Sequence, residues 1–177
     1  MSLLPSAVFE RLATVFYDTG LKGRIEAQVA GQPQLRLLDV ACGTGALTAV
    51  AGDCSYVGVD VSLARLRRAC RNNTSSVWAV ADASALPFGP AVFDRVLVSG
   101  LFHHVDDSLA DRIQAEIARV TAPAGHVVVF EAIWPRNACN ITGAIARALD
   151  EGRFIRNPSE YLELWSSRFT IAVSYTH

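Results

Sequence analysis

The chain has 177 residues, the size of one domain, and 51% of them are hydrophobic, enough to fill a core. Sixteen basic residues face seventeen acidic ones, so the formal net charge of -1 gives no electrostatic reason to expect nucleic acid or an anionic lipid surface as partner. No uninterrupted apolar run approaches the roughly 20 residues that cross a bilayer, and the start "MSLLPSAVFERL" has no signal-peptide pattern.

Residues 5–18 carry Val8, Phe9, Leu12, Ala13 and Phe16, a helical stripe. A short helix is expected over 23–30, and "GQPQ" at 31–34 breaks it. "LRLLDVA" reads as a buried strand, "TGALTAVAG" as a helix start and short helix, and "SYVGVD" as a second strand. A second helix of this core follows at 62–71, and "SVWAVAD" is a third strand. The loop 85–92 holds two prolines, and "FDRVLVSG" is a fourth strand. Residues 108–120 form a helix with Leu109, Ile113, Ile117 and Val120 on one face, which "APAG" ends. "HVVVFEAIW" is a fifth strand, 140–150 and 159–165 are helical, and "RFTIAVSY" is a sixth strand.

Strands alternate with helices and are apolar on both faces. That predicts an α/β fold: a Rossmann-like, doubly wound, mostly parallel sheet with helices on both sides. One domain is expected over 1–177, with an N-terminal helical cap over about 1–34 and the core over about 35–177. Cys42, Cys54, Cys70 and Cys139 form no C-x-x-C pair and no zinc spacing, so no metal site is expected and a cytoplasmic protein with reduced thiols is the plain reading.

In such sheets ligands bind outside the carboxyl ends of the strands. "DVACGTG" sits there after the first strand. Its glycines let the backbone turn sharply and approach a ligand, and the expected helix would offer free N–H groups. A dinucleotide loop wants G-x-G-x-x-G, but here the run is Gly43-Thr44-Gly45-Ala46-Leu47-Thr48, without the third glycine. Asp39 precedes the glycines. An acid there suits a cationic amino group, met directly or through water, rather than a pyrophosphate.

This stretch resembles the first motif of class I S-adenosylmethionine-dependent methyltransferases, most of all the small-molecule group related to the ubiquinone and menaquinone methylases. That motif reads acid-x-Gly-x-Gly-x-Gly, and here it is Asp39-Val40-Ala41-Cys42-Gly43-Thr44-Gly45, with alanine for the first glycine. The resemblance implies S-adenosyl-L-methionine as cofactor, S-adenosyl-L-homocysteine as product and a loop around the cofactor built by Ala41, Cys42, Gly43 and Gly45. Asp60, with Val61 beside it, ends the second strand about 20 residues past the loop, where a ribose-binding acid belongs; capping the next helix together with Ser62 is its other reading. Asp82 and Ala83 match the pair beside the adenine, with a turn-initiating Asp as the alternative. Ser99 and Gly100 match the segment beside the methionine part, and Tyr17 matches a tyrosine that covers the cofactor or is buried at a helix end. His103 is the candidate catalytic base, His104 the structural one, and either role is open for His103. Glu131 ends the fifth strand and touches substrate or caps.

The family sheet has a seventh strand for which this sequence shows no counterpart, and an exposed edge there invites pairing with a second copy. A small-molecule methyl acceptor is expected, since "SGLF" stands where nucleic-acid amino methylases carry N/D-P-P-Y/F. Two rivals stand beside a methyltransferase. One is a nicotinamide oxidoreductase, against which the missing glycine and Asp39 count. The other is a cofactor-binding or scaffold protein with a methyltransferase-like fold that has lost activity.

Overall fold

The computed structural model describes residues 21–29, 34–131, 133 and 152–171. Along the chain these form α1 (Leu21–Val29), β1 (Arg36–Val40), β2 (Ser55–Asp60), α2 (Leu63–Asn72), β3 (Val77–Val80), β4 (Phe93–Ser99), α3 (Asp107–Val120), β5 (Thr121–Phe130) and α4 (Pro158–Ser166). Short 3-10 turns lie at Thr48–Ala51 and Phe102–His104. The expected helices at 5–18 and 140–150, together with Tyr17 and Trp134, lie outside the described residues.

The strands form one sheet in the order β3-β2-β1-β4-β5, and every pairing is parallel. Leu38 and Val40 of the central strand point into a core with Val96, Val98 and Phe102, over which Ile113 and Ile117 of α3 and Trp165 of α4 pack. Leu37 points the other way, into a core with Tyr56 and Leu97, covered by Ile25 and Val29 of α1 and by Val50. Burial on both faces is why these strands read as continuous apolar runs rather than alternating ones. On α2, Leu66 and Ala69 are buried while Arg65, Arg67 and Arg71 face solvent and Arg68 is half-buried.

The architecture is the doubly wound α/β sheet the alternation predicts, with three differences in detail. The first concerns 44–52, which holds turns and the four-residue 3-10 segment instead of an α-helix. Length explains it. The chain must return alongside the six-residue β2, about 20 Å at about 3.3 Å per residue. Residues 46–54, coiled as an α-helix, would rise only about 14 Å; the steeper 3-10 rise and extended turns make up the difference.

The second difference is that β5 starts at Thr121 rather than His126. Phe93 pairs with Thr121 and Arg95 with His126, so "APAG" is a bulge inside the ladder rather than a loop outside it. The third lies in "RFTIAVSY": 168–171 are turn and irregular backbone, and the rest lies outside the described residues. Arg168 and Phe169 donate their N–H groups back to the Trp165 carbonyl, and Phe169 stacks on Trp165 with ring centroids 5.2 Å apart. That wraps the chain onto the end of α4 instead of extending it. No described helix is long and apolar enough to cross a membrane.

Candidate active site

β1 leads to β2 and β3 on one side, and the chain then crosses to β4 on the other. The carboxyl ends of β1 and β4 are therefore where the winding reverses and a crevice opens. Two loops meet there: 41–45 after β1 and 100–104 after β4.

The first loop is a chain of tight turns. Ala41, Gly43 and Gly45 all have positive φ, at 61°, 56° and 74°. Cys42 donates its N–H to the Val59 carbonyl and Gly45 donates to the Cys42 carbonyl, both at 3.0 Å. Ala41 thus holds the left-handed conformation that glycine holds at no steric cost. A Cβ at Gly45 would lie 2.5 Å from Cη2 of Trp78, whose indole packs against the loop. A Cβ at Gly43 would meet nothing within 4 Å, so open space faces the backbone at the middle of the loop.

Asp60 ties this loop to β2. It is only 3% exposed. One carboxylate oxygen accepts the Gly43 N–H at 2.9 Å and the other accepts the Ser62 N–H at 2.8 Å. Ser62 is the N-cap of α2, its hydroxyl accepting from the Arg65 N–H. Each oxygen of a carboxylate can accept a second hydrogen bond, so these contacts leave capacity for a ligand's hydroxyls. Val61 follows at 75% exposure, an aliphatic side chain standing in solvent beside a buried acid.

Asp39 is 1% exposed, and the Tyr56 hydroxyl donates to it at 2.6 Å. Burial pushes its carboxyl up to about 7, the Tyr56 hydrogen bond opposes this, and the nearby Asp60 charge adds to the rise. The same burial drives the Tyr56 phenol far above its ordinary range. Burial, then Asp39 and Asp60, likewise push up the Cys42 thiol, which stays protonated and unreactive.

At the end of β3, Asp82 is exposed and accepts both the N–H and the hydroxyl of Ser84 at 2.8 Å. Those bonds hold its carboxyl below the usual range. Ala83 lies in the turn that follows, and the Ala81 N–H donates to the Asp60 carbonyl, so the ends of β2 and β3 stay together.

The second loop is built around a residue that sequence reasoning underweighted. Glu131, just past β5, accepts the Leu101 and Phe102 N–H groups with one oxygen, at 2.9 and 2.7 Å. Its other oxygen lies 2.7 Å from Nδ1 of His103. Both side chains are nearly sealed, His103 at 6% and Glu131 at 5% side-chain exposure. Gly100 donates its N–H to the Phe130 carbonyl, and Ser99 pairs with Phe130 in the ladder. From the other side Arg156 donates to the Phe102 and Val105 carbonyls and to Asp107. Nothing at the sequence level marked Arg156, because its partners lie about 50 residues upstream. The exposed His104 stacks on His103 with ring centroids 4.0 Å apart. Among the described residues no group of three or more His, Cys, Asp or Glu side chains is placed to hold a metal ion.

The structure thus brings Asp39, Ala41, Cys42, Gly43, Gly45, Asp60 and Val61 to one end of β1 and β2, Asp82 and Ala83 to the neighbouring end of β3, and Ser99, Gly100 and His103 to the end of β4. The profile of the methyltransferase domain matches residues 38–129, more than half of the chain. The chain belongs to the class I S-adenosylmethionine-dependent methyltransferase family. Within that family it is 34% identical over 146 residues to a demethylmenaquinone methyltransferase of Renibacterium salmoninarum, covering 78% of this chain and 61% of that one. It is 39% identical over 108 residues to the demethylmenaquinone methyltransferase of Mycolicibacterium vanbaalenii, covering 59% and 45%. The chain therefore spans only about half to three-fifths of the curated relatives it matches. Among solved structures, geranyl diphosphate C-methyltransferase of Streptomyces coelicolor superposes with a TM-score of 0.68 at 18% identity, over 85% of this chain and 60% of that one. A phosphoethanolamine N-methyltransferase of Haemonchus contortus superposes with a TM-score of 0.64 at 20% identity, over 82% and 35%. At those identities the likeness is one of fold.

Proposed function

We propose that this methyltransferase domain binds S-adenosyl-L-methionine across the ends of β1, β2 and β3 and transfers its methyl group to a quinol-type small molecule. The observation that carries this is Asp60, a buried carboxylate tied to the Gly43 N–H at 2.9 Å, with open space before the glycine loop and an exposed Val61 beside it. In this reading Asp60 accepts the ribose hydroxyls and Val61 covers one face of the adenine. Asp82 and the Ala83 N–H meet the adenine edge, and Ser99 and Gly100 border the methionine part. Asp39 answers the cationic amino group from behind the loop formed by Ala41, Cys42, Gly43 and Gly45. Its raised carboxyl supports that role, since a cation brought near would favour the ionised form.

The acceptor class rests on the demethylmenaquinone methyltransferases to which the chain is similar. The cofactor supplies an electrophilic methyl on sulfur; the protein's part is to align donor and acceptor, exclude water and hold the proton the acceptor gives up. His103, at the end of β4, is the side chain we assign to that proton. Against a nicotinamide enzyme stand the missing third glycine and the missing helix after the loop, which leave no helix N-terminus for a pyrophosphate.

Calorimetric titration of the chain with S-adenosyl-L-homocysteine, with NADH in parallel, tests the reading. Saturable binding of the homocysteine compound alone, weakened at least ten-fold in Asp60→Asn, is the expected result. Binding of NADH instead would overturn it. Binding of neither would favour the scaffold.

A further inference from the structure

Glu131 does more than close a loop. Its carboxylate meets three groups on three successive residues: the Leu101 N–H, the Phe102 N–H and Nδ1 of His103. The two amides share one oxygen, and among the described residues the imidazole meets the other. We infer that Glu131 is the positioning residue of a His103–Glu131 pair, fixing the neutral ring with its proton on Nδ1 and so making Nε2 the nitrogen that accepts a proton.

The geometry supports this from several sides. A carboxylate can only accept, so at 2.7 Å the ring must present a donor to it at Nδ1. In a neutral imidazole the other nitrogen is then the acceptor. The ring cannot swing away, because Glu131 and His103 are both nearly sealed. The backbone carrying it is held from both ends as well. Gly100 donates to Phe130, the His103 carbonyl accepts the Phe154 N–H at 3.0 Å, and Arg156 holds the carbonyls of Phe102 and Val105. The Cε1 edge of the imidazole lies against Gly100: a Cβ built there would be 3.4 Å from it. That places the ring beside a cofactor-lining position of the proposed site. Among the described residues, the charged and titratable groups around the pair include His104, whose ring lies against His103, Arg156 with Asp107, and Tyr161, whose phenol burial and then Glu131 push up to about 12.

The chemical use of this pair rests on the proposed methyl transfer. A hydroquinone acceptor would give its hydroxyl proton to Nε2 as the electron pair moves through the ring to a carbon, and that carbon bonds to the methyl group. The C–S bond breaks with its electrons left on sulfur, S-adenosylhomocysteine departs, the ring carbon loses its own proton to water as aromaticity returns, and Nε2 hands the hydroxyl proton back to the oxygen. One proton is released per turnover, balancing the sulfonium charge.

Glu131→Gln is the informative change. The glutamine oxygen can keep the two amide bonds while its NH2 donates to Nδ1, which forces the proton onto Nε2. Long-range 1H–15N correlation spectra of the 15N-labelled full chain read the tautomer directly, with the His103 ring assigned by its loss in His103→Gln. The wild type, above the pH at which the ring is neutral, is expected to show Nδ1 protonated and Nε2 bare, with the pattern reversed in Glu131→Gln. A wild type with the proton on Nε2, or an unchanged tautomer in the variant, would overturn the inference. Should the variant not fold, the wild-type tautomer alone decides. S-adenosylhomocysteine affinity, expected to stay within two-fold, is measured on the same samples. If neither protein binds it while the tautomer reverses, the pair stands and the methyltransferase reading falls.

Discussion

At position 41 the family motif has glycine and this chain has alanine, and the backbone adopts φ 61° all the same. An L-residue there costs about 1–2 kcal/mol, partly offset because alanine has less freedom to lose on folding. Ala41→Gly should therefore stabilise the domain by about 0.5–1 kcal/mol and raise Tm by about 2 °C in a calorimetric scan. Gly45→Ala should do the opposite, by about 3 kcal/mol, since positive φ and a Cβ pressed into Trp78 act together. Asp39 adds a pH term with a definite sign. Its folded carboxyl titrates at about 7, well above its unfolded range. The folded state thus holds a proton that the unfolded state has lost, and stability falls as pH rises from about 4 towards 7. Above that window the loss is complete and flat. Asp39→Asn should remove this decline, visible as a shallower fall of Tm between pH 5 and 7. An equally steep fall in the variant would show that another group is responsible.

Among the elements, α3 and α4 are the simplest to explain. Asp106 caps α3 through the Leu109 N–H, and Asn157 with Glu160 forms a capping box on α4 with Pro158 at its first turn. Just before that cap, Arg156 reaches across to the segment after β4. Its buried guanidinium serves two carbonyls and Asp107, so the 3-10 turn Phe102–His104 depends on a residue more than 50 positions later. Arg156→Met keeps the stem and removes the donors. It should cost about 2–4 kcal/mol and speed hydrogen exchange at the His104 and Phe154 amides, which bond to the Leu101 and His103 carbonyls. Exchange in β1 should change only by the global loss of stability. A uniform acceleration would mean that Arg156 holds the fold and not the loop.

For the whole molecule, the crevice follows from strand order. Because β4 lies beside β1 and not beside β3, the loops after β1 and β4 become neighbours at the reversal point, with the ends of β2 and β3 along one side. A ligand spanning those ends binds only the folded sheet. S-adenosylhomocysteine at about 100 times its Kd should stabilise by about 2.7 kcal/mol, a Tm rise of about 5–10 °C for a domain of this size. Asp60→Asn should abolish most of that rise in a thermal shift measurement. An undiminished rise would remove Asp60 from the site.

Sequence alone determined the first five strands, their parallel sheet and the positions of Asp39, Gly43, Gly45, Asp60 and Asp82, because these depend on local pattern: apolar runs buried on both faces, glycines at strand ends, acids at fixed spacing. Tertiary structure decided what depends on distance between elements. The expected helix after the glycine loop gave way to a 3-10 turn because 46–54 had to span β2, and "APAG" became a bulge because β5 had to keep step with β4. Glu131 and Arg156 became the anchors of the His103 segment for the same reason. Their hydrogen bonds close gaps of about 30 and 50 residues, and no period or spacing along the chain records which buried carbonyl or imidazole a distant charge will meet.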